Sequence, residues 1–151
     1  MAPSNQLQTA FLASTSEVLE AMFFVEVVGE NAGTGTADLV LAELAFRGNP
    51  SGRFGVQVPI RTGRLMASNF LGKGEEEITE AEIEQVVCEL TNMICGSVLS
   101  RIEAGERFEL LHPAITPSGT DALPAEAASS TFELEEGAII VWMTIDEKSP
   151  S

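Results

Sequence analysis

The stretch Thr79–Glu103, TEAEIEQVVCELTNMICGSVLSRIE, decides how this chain folds. Thr79 and Glu82 form the T-x-x-E pattern of a capping box, whose side chains satisfy orphan backbone N–H groups at a helix start. A long helix to about Glu103 is therefore predicted. At about 100° per residue, Ile83, Val86, Val87, Leu90, Ile94, Ser97 and Val98 share one side, the expected sheet-facing stripe. Cys88, Cys95 and Leu99 form a smaller apolar patch nearly opposite. Between the two runs a strip of Glu82, Gln85, Glu89, Asn92, Gly96, Ser100 and Glu103, in which every member is polar, charged or glycine.

Glu89 and Asn92 occupy the middle of that strip. Residues at i and i+3 are neighbours on a helix surface, so a carboxylate and a carboxamide can address one small object. Gly96 follows on the same strip. A glycine costs a helix interior about 1 kcal/mol relative to alanine, but its missing side chain would let another backbone or a phosphorylated loop come close. One reading is a solvated face with a helix-packing glycine. The other is a docking strip in which Gln85, Gly96 and Glu82 border the Glu89 and Asn92 pair. The E-x-x-N spacing is weakly specific alone, although this is its only instance in the chain.

Working outward, NQLQTAFLASTSEVLEAMF (5–23) places Leu7, Phe11, Val18 and Met22 at helical spacing, with Ser4 as a candidate cap. VEVVGENAGTG (25–35) is read as an extended segment entering a glycine-rich turn. TADLVLAELAFRG (36–48) and RFGVQVPI (53–60) flank the turn signal NPSG and form an antiparallel hairpin, with Phe54, Val56, Val58 and Ile60 alternating. RLMASNFLG (64–72) is a short helix closed by Gly72, and KGEEE (73–77) a solvated charge run. RFELLHP (107–113) is a short strand, and Ala114 to Ser130, with Pro117, Gly119 and Pro124, a loop. STFELEEGAIIVWMTI (130–145) is a closing hairpin whose Ile139–Ile145 strand is buried on both faces. Residues after Asp146 are expected to fray. These elements make an α/β sandwich of the α+β kind, one mainly antiparallel sheet packed against helices.

The 151 residues fit one domain, residues 1–151, with a core over about 5–146. The net charge of −15, from 23 acidic and 8 basic residues, repels phosphate backbones and anionic lipid heads. No nucleic acid and no membrane partner is expected. A partner with basic residues around its own site would be steered in; alternatively, the charge only maintains solubility. No apolar run is long enough to span a membrane, and MAPSNQLQ has no signal-peptide pattern. Cys88 and Cys95, about 10 Å apart on a helix, are beyond disulfide reach, which suits a reducing, cytoplasmic compartment. The one histidine, His112, has no ligand cluster around it and is read as a strand-end residue.

ELTNMICGSVLS, in a long helix after a strand pair and a short helix, resembles the CheX-type chemotaxis phosphatases of the CheC, CheX and FliY group. LEAMFFVEVVGE resembles that family's first helix and first extended segment, and FELLHPAITPSG its strand and proline-bearing loop after the motif helix. The resemblance covers about residues 5–146. It implies a phosphatase acting on the aspartyl phosphate of CheY-like response-regulator receiver domains. It further implies Asn92 as the water-orienting residue and Glu89 as the contact to a partner lysine. A homodimer formed by joining sheets is also implied. The chain itself would bind no cofactor, the Mg²⁺ sitting on the partner receiver. Relatives often carry Asp or Ser where Gln85 stands. The single motif copy matches CheX rather than CheC.

The residue types suit such chemistry. An acyl phosphate already has a good leaving group, and what it lacks is a water held in line with the breaking P–O bond. A carboxamide can hold that water without repelling a dianionic phosphoryl group. Two alternatives remain open. One is a non-catalytic module that binds a receiver on the same strip, and the other, which only the resemblance implies, is a structural flagellar-switch component.

Overall fold

In a computed structural model of the chain, residues 5–30, 38–103, 105, 107–116, 123–124, 126–135 and 137–146 are described. The cap expected at Ser4, the turn at 31–35, Pro117 with Gly119, and the tail after Asp146 lie outside them. The order is α1 (Asn5–Phe23), β1 (Val27–Glu30), β2 (Leu39–Arg47), β3 (Gly52–Pro59), α2 (Ile60–Leu71), α3 (Glu80–Ile102), β4 (Glu109–Leu110), β5 (Ala114–Ile115), β6 (Ala128–Leu134) and β7 (Gly137–Ile145).

The strands form one seven-stranded sheet in the order β1-β6-β7-β3-β2-β4, with β5 also on β2. Every pairing is antiparallel. The α+β sandwich expected from the sequence is the fold observed. β2 and β3 pair from Leu39↔Pro59 to Phe46↔Gly52, the hairpin around NPSG. Period-two alternation sends Phe54, Val56 and Val58 of β3, and Ile139, Val141 and Met143 of β7, into the core. β7 is hydrogen-bonded to β3 on one side and β6 on the other, so its apolar run belongs to the middle of the sheet.

Helix α3 is the hub of the helical layer, packing on α1, α2, β2 and β3. Hence Thr91, Cys95 and Leu99 are as buried as Leu90, and the apolar patch expected opposite the main stripe is part of the same core. Ser97, expected toward the sheet, instead hydrogen-bonds Ser14 of α1 at 2.9 Å. Arg101 pairs with Glu17 at 3.1 Å. α1 runs from Phe11, against Phe54 of β3, to the end of the sheet where β1 pairs at Leu134. α3 runs from Ile83, beside Gly63, to Gly96, beside Leu110 of β4, so the two helices are antiparallel. In the last turn of α1 the buried side passes to Leu19 and Phe23, which stacks on Phe70 of α2 at 5.0 Å, and Met22 is exposed rather than facing the core.

Three further boundaries differ from the sequence reading. Pro59 (φ −59°, ψ 143°) ends β3 at the start of α2, so Ile60 opens a helix, its N–H on Asp38 O at 2.9 Å, instead of finishing a strand. Gly72, φ 70°, closes α2 as expected. Ala114–Ile115, expected in a loop, pairs with β2 at Ala42 and Glu43, where an otherwise open strand edge offers backbone partners. Likewise Ala128–Ser130 joins β6 against β7.

Candidate functional site

The site is an open face on a helix held rigidly by its other faces. At its start, Thr79 Oγ1 accepts the Glu82 N–H at 3.1 Å and Glu82 Oε1 accepts the Thr79 N–H at 3.0 Å, the predicted capping box. The second Glu82 oxygen receives Lys73 Nζ at 2.7 Å. The Lys73 ammonium first, and then the Thr79 N–H, hold the Glu82 carboxyl below its ordinary pKa. Arg64 donates to the carbonyls of Glu75 (3.2 Å) and Ile78 (2.7 Å), tying the short turn Glu75–Glu77 to α2. A Cβ on Gly63 would stand 2.9 Å from Ile83 Cγ2, so α2 needs that glycine to close on α3.

Along the strip, Gln85, Glu89 and Ser100 are exposed, whereas Glu82, Asn92, Gly96 and Glu103 are half-buried. Neither Glu89 nor Asn92 makes a hydrogen bond or ion pair with any described residue. Asn92 is not sealed beneath side chains. It is half-buried, and its amide is not among the fully buried polar atoms that lack a partner. The helix turn places Asn92 beside Glu89 and Gly96 at spacings of three and four residues.

The surroundings divide by polarity. Glu75, Glu76, Glu77, Glu80, Glu84 and Glu89 are exposed in or just before the N-terminal half of α3. Toward its other end, Gly96 faces Leu110 of β4, whose Cδ2 lies 4.0 Å from where a Cβ would stand. Both thiols are held toward their protonated form. Burial pushes Cys95 up to about 12. Burial first, then Glu84 and Glu89, raises Cys88. His112 is exposed just beyond β4. Among the described residues no three His, Cys, Asp or Glu side chains could together hold a metal ion, and no helix is long and apolar enough to cross a membrane.

Sequence reasoning gathered Gln85, Glu89, Asn92 and Gly96 on one face, as the structure does. It did not reach Lys73, which occupies Glu82, or Leu110, which borders Gly96. Lys73 lies before the helix and Leu110 after it, so neither falls on the helical wheel.

Solved structures with this architecture include several CheX proteins. CheX of Desulfovibrio desulfuricans superposes with a TM-score of 0.74 at 18% identity, covering 93% of this chain and 99% of its own. CheX of Vibrio vulnificus gives 0.75 at 18% identity, covering 95% of this chain and all of its own, 100%. The CheX of a CheX–CheY–BeF3–Mg²⁺ complex from Borrelia burgdorferi gives 0.71 at 24% identity, covering 93% of this chain and 98% of its own. The fold is thus the one found in CheX and CheC-like chemotaxis proteins. A family model described as chemotaxis phosphatase CheX matches residues 40–133, which include all of α3. The chain belongs to the CheX family of chemotaxis phosphatases. No curated protein matches it in sequence.

Proposed function

We propose that this protein hydrolyses the aspartyl phosphate of a CheY-like receiver domain, with Asn92 orienting the attacking water and Glu89 gripping the partner. The observation that carries this reading is the uncommitted amide of Asn92, half-buried beside the exposed Glu89 on a helix whose remaining faces are locked in the core.

The water oxygen bonds to phosphorus as the bond from phosphorus to the aspartyl carboxylate oxygen breaks, leaving aspartate, inorganic phosphate and a proton. The Asn92 carbonyl oxygen accepts a hydrogen bond from that water and sets its line of attack. A carboxylate in its place would repel the phosphoryl oxygens. If positioning supplies about a hundredfold, it lowers the barrier by roughly 2.7 kcal/mol. Glu89 meets a lysine ammonium near the phosphorylated aspartate, a charge-assisted contact that sets how far Asn92 is inserted. Gln85 and Gly96 border that contact. Glu82 joins it only by sharing a carboxylate already committed to Thr79 and Lys73. The Mg²⁺ of the reaction is held by the receiver, and the setting is cytoplasmic. A homodimer is part of the reading. Since β7 is paired on both sides, sheets would join through an outer edge such as β1.

Following radiolabelled receiver phosphate with and without the protein tests the proposal. Wild type accelerates the loss of label, while Asn92→Ala binds the receiver but leaves its decay at the spontaneous rate. Full activity in Asn92→Ala would refute the water-orienting role. Binding by wild type with no acceleration would mean a receiver-binding scaffold instead, the reading that Gln85 in place of Asp or Ser favours.

A further inference from the structure

The helices contain two glycines among their described residues, Gly63 and Gly96, and only one has a reason within the fold. At Gly63 a Cβ would press Ile83 Cγ2 at 2.9 Å, so the helices could not close. At Gly96 the nearest described heavy atom outside its own helical turn is Leu110 Cδ2 at 4.0 Å, ordinary van der Waals distance. Alanine would fit there, and the helix would be steadier for it. The absent methyl instead leaves a shallow recess one helical turn beyond Asn92, floored by the Gly96 backbone and walled by the half-buried Leu110.

The geometry points to this recess as the seat of a small aliphatic side chain from the receiver loop that flanks the phosphorylated aspartate. The inference rests on the receiver-phosphatase reading and adds which feature of the partner is selected. Three observations commit it to that occupant. The Gly96 N–H and C=O lie inside α3 and serve the helix ladder, so the floor has no hydrogen bond to give a polar group. The wall is a methyl group, and the depth is that of one methyl. The opposite end of the strip, at Gln85 and Glu89, is polar and bordered by acids, so a partner seated with its cation there brings uncharged contacts to Gly96. The site therefore selects orientation as well as identity: ammonium at Glu89, aliphatic group at Gly96, acyl phosphate between them at Asn92.

The test uses the full chain, Gly96→Ala, and a panel of CheY-like receivers loaded with Mg²⁺ and beryllofluoride as a stable acyl-phosphate mimic. Gly96→Ala is expected to melt about 2–4 °C higher yet bind the matching receiver on the order of tenfold more weakly. Replacing the receiver's flanking aliphatic residue with glycine restores binding to Gly96→Ala. Equal binding by wild type and Gly96→Ala would overturn the inference and leave the phosphatase reading intact. Failure of wild type to bind any receiver would overturn both. Accelerated hydrolysis by Asn92→Ala, with binding still lost in Gly96→Ala, would reject the water-orienting role and support the recess.

Discussion

Lys73 and Glu82 meet at 2.7 Å while the other oxygen of Glu82 takes the Thr79 N–H, so one carboxylate both caps α3 and anchors the segment that precedes it. A carboxyl depressed in the folded state adds stability above its unfolded pKa, about 4.3. That stability is lost as pH falls through the lower folded value. Glu82→Gln should therefore be less stable than wild type near neutral pH, with the gap closing in acid. Thr79→Ala, which removes the other half of the cap, should cost about 1 kcal/mol. Urea unfolding of the three proteins across pH checks both, and a pH-independent Glu82→Gln gap would contradict the ion-pair account.

Thr15 is fully buried, and its Oγ1 has no hydrogen-bond partner among the described residues. A buried hydroxyl left unsatisfied carries its desolvation cost, whereas valine has nearly the same shape without it. Thr15→Val should therefore raise stability by about 1–2 kcal/mol. Chemical denaturation reads the change, and a loss of stability would mean that the hydroxyl is satisfied in solution.

Substitutions of Asn92 separate shape from charge. Asn92→Ala removes the water's acceptor and should lower kcat on the order of a hundredfold. Asn92→Asp keeps the size but sets a negative charge against the phosphoryl oxygens, so it should be no faster than the alanine variant. Single-turnover dephosphorylation distinguishes them. A fast Asn92→Asp enzyme would instead point to proton abstraction by this residue.

Association should depend on salt. Six exposed glutamates lie in or just before the N-terminal half of α3, counting Glu75, Glu76, Glu77, Glu80, Glu84 and Glu89. A partner with lysines at its phosphorylation site is drawn in by their field. Raising ionic strength from about 0.05 to 0.3 M should slow association on the order of tenfold with little change in dissociation. Glu89→Gln should also dissociate faster, because it loses a direct contact. Stopped-flow mixing with a beryllofluoride-loaded receiver reads both rates, and salt-independent association would argue that the acids serve solubility alone.

The α3 helix was legible because its signals are local. The T-x-x-E cap lies within one turn, and the apolar residues repeat at a period set by backbone geometry alone. The β2–β3 hairpin and the gathering of Glu89, Asn92 and Gly96 on one strip follow by the same kind of reasoning. Met22 falls on the apolar stripe by spacing, but its exposure depends on which side of the last turn α2 covers, where Phe23 stacks on Phe70. The Ala114–Ile115 pairing was missed because two residues carry no periodicity, and only an open edge on β2 makes them a strand.

The sequence by itself determined the helix, its cap and the order of side chains around it, since each depends on neighbours within a few positions. Tertiary structure alone decided which faces of that helix are free. Ser97 meets Ser14 across 83 positions, and Gly96 opens toward Leu110 of a later strand. Such contacts arise when rigid elements pack and exclude water from some surfaces and not others. A wheel can list the residues of a face, but only the packed neighbours determine whether that face is covered, shared or left open to a partner.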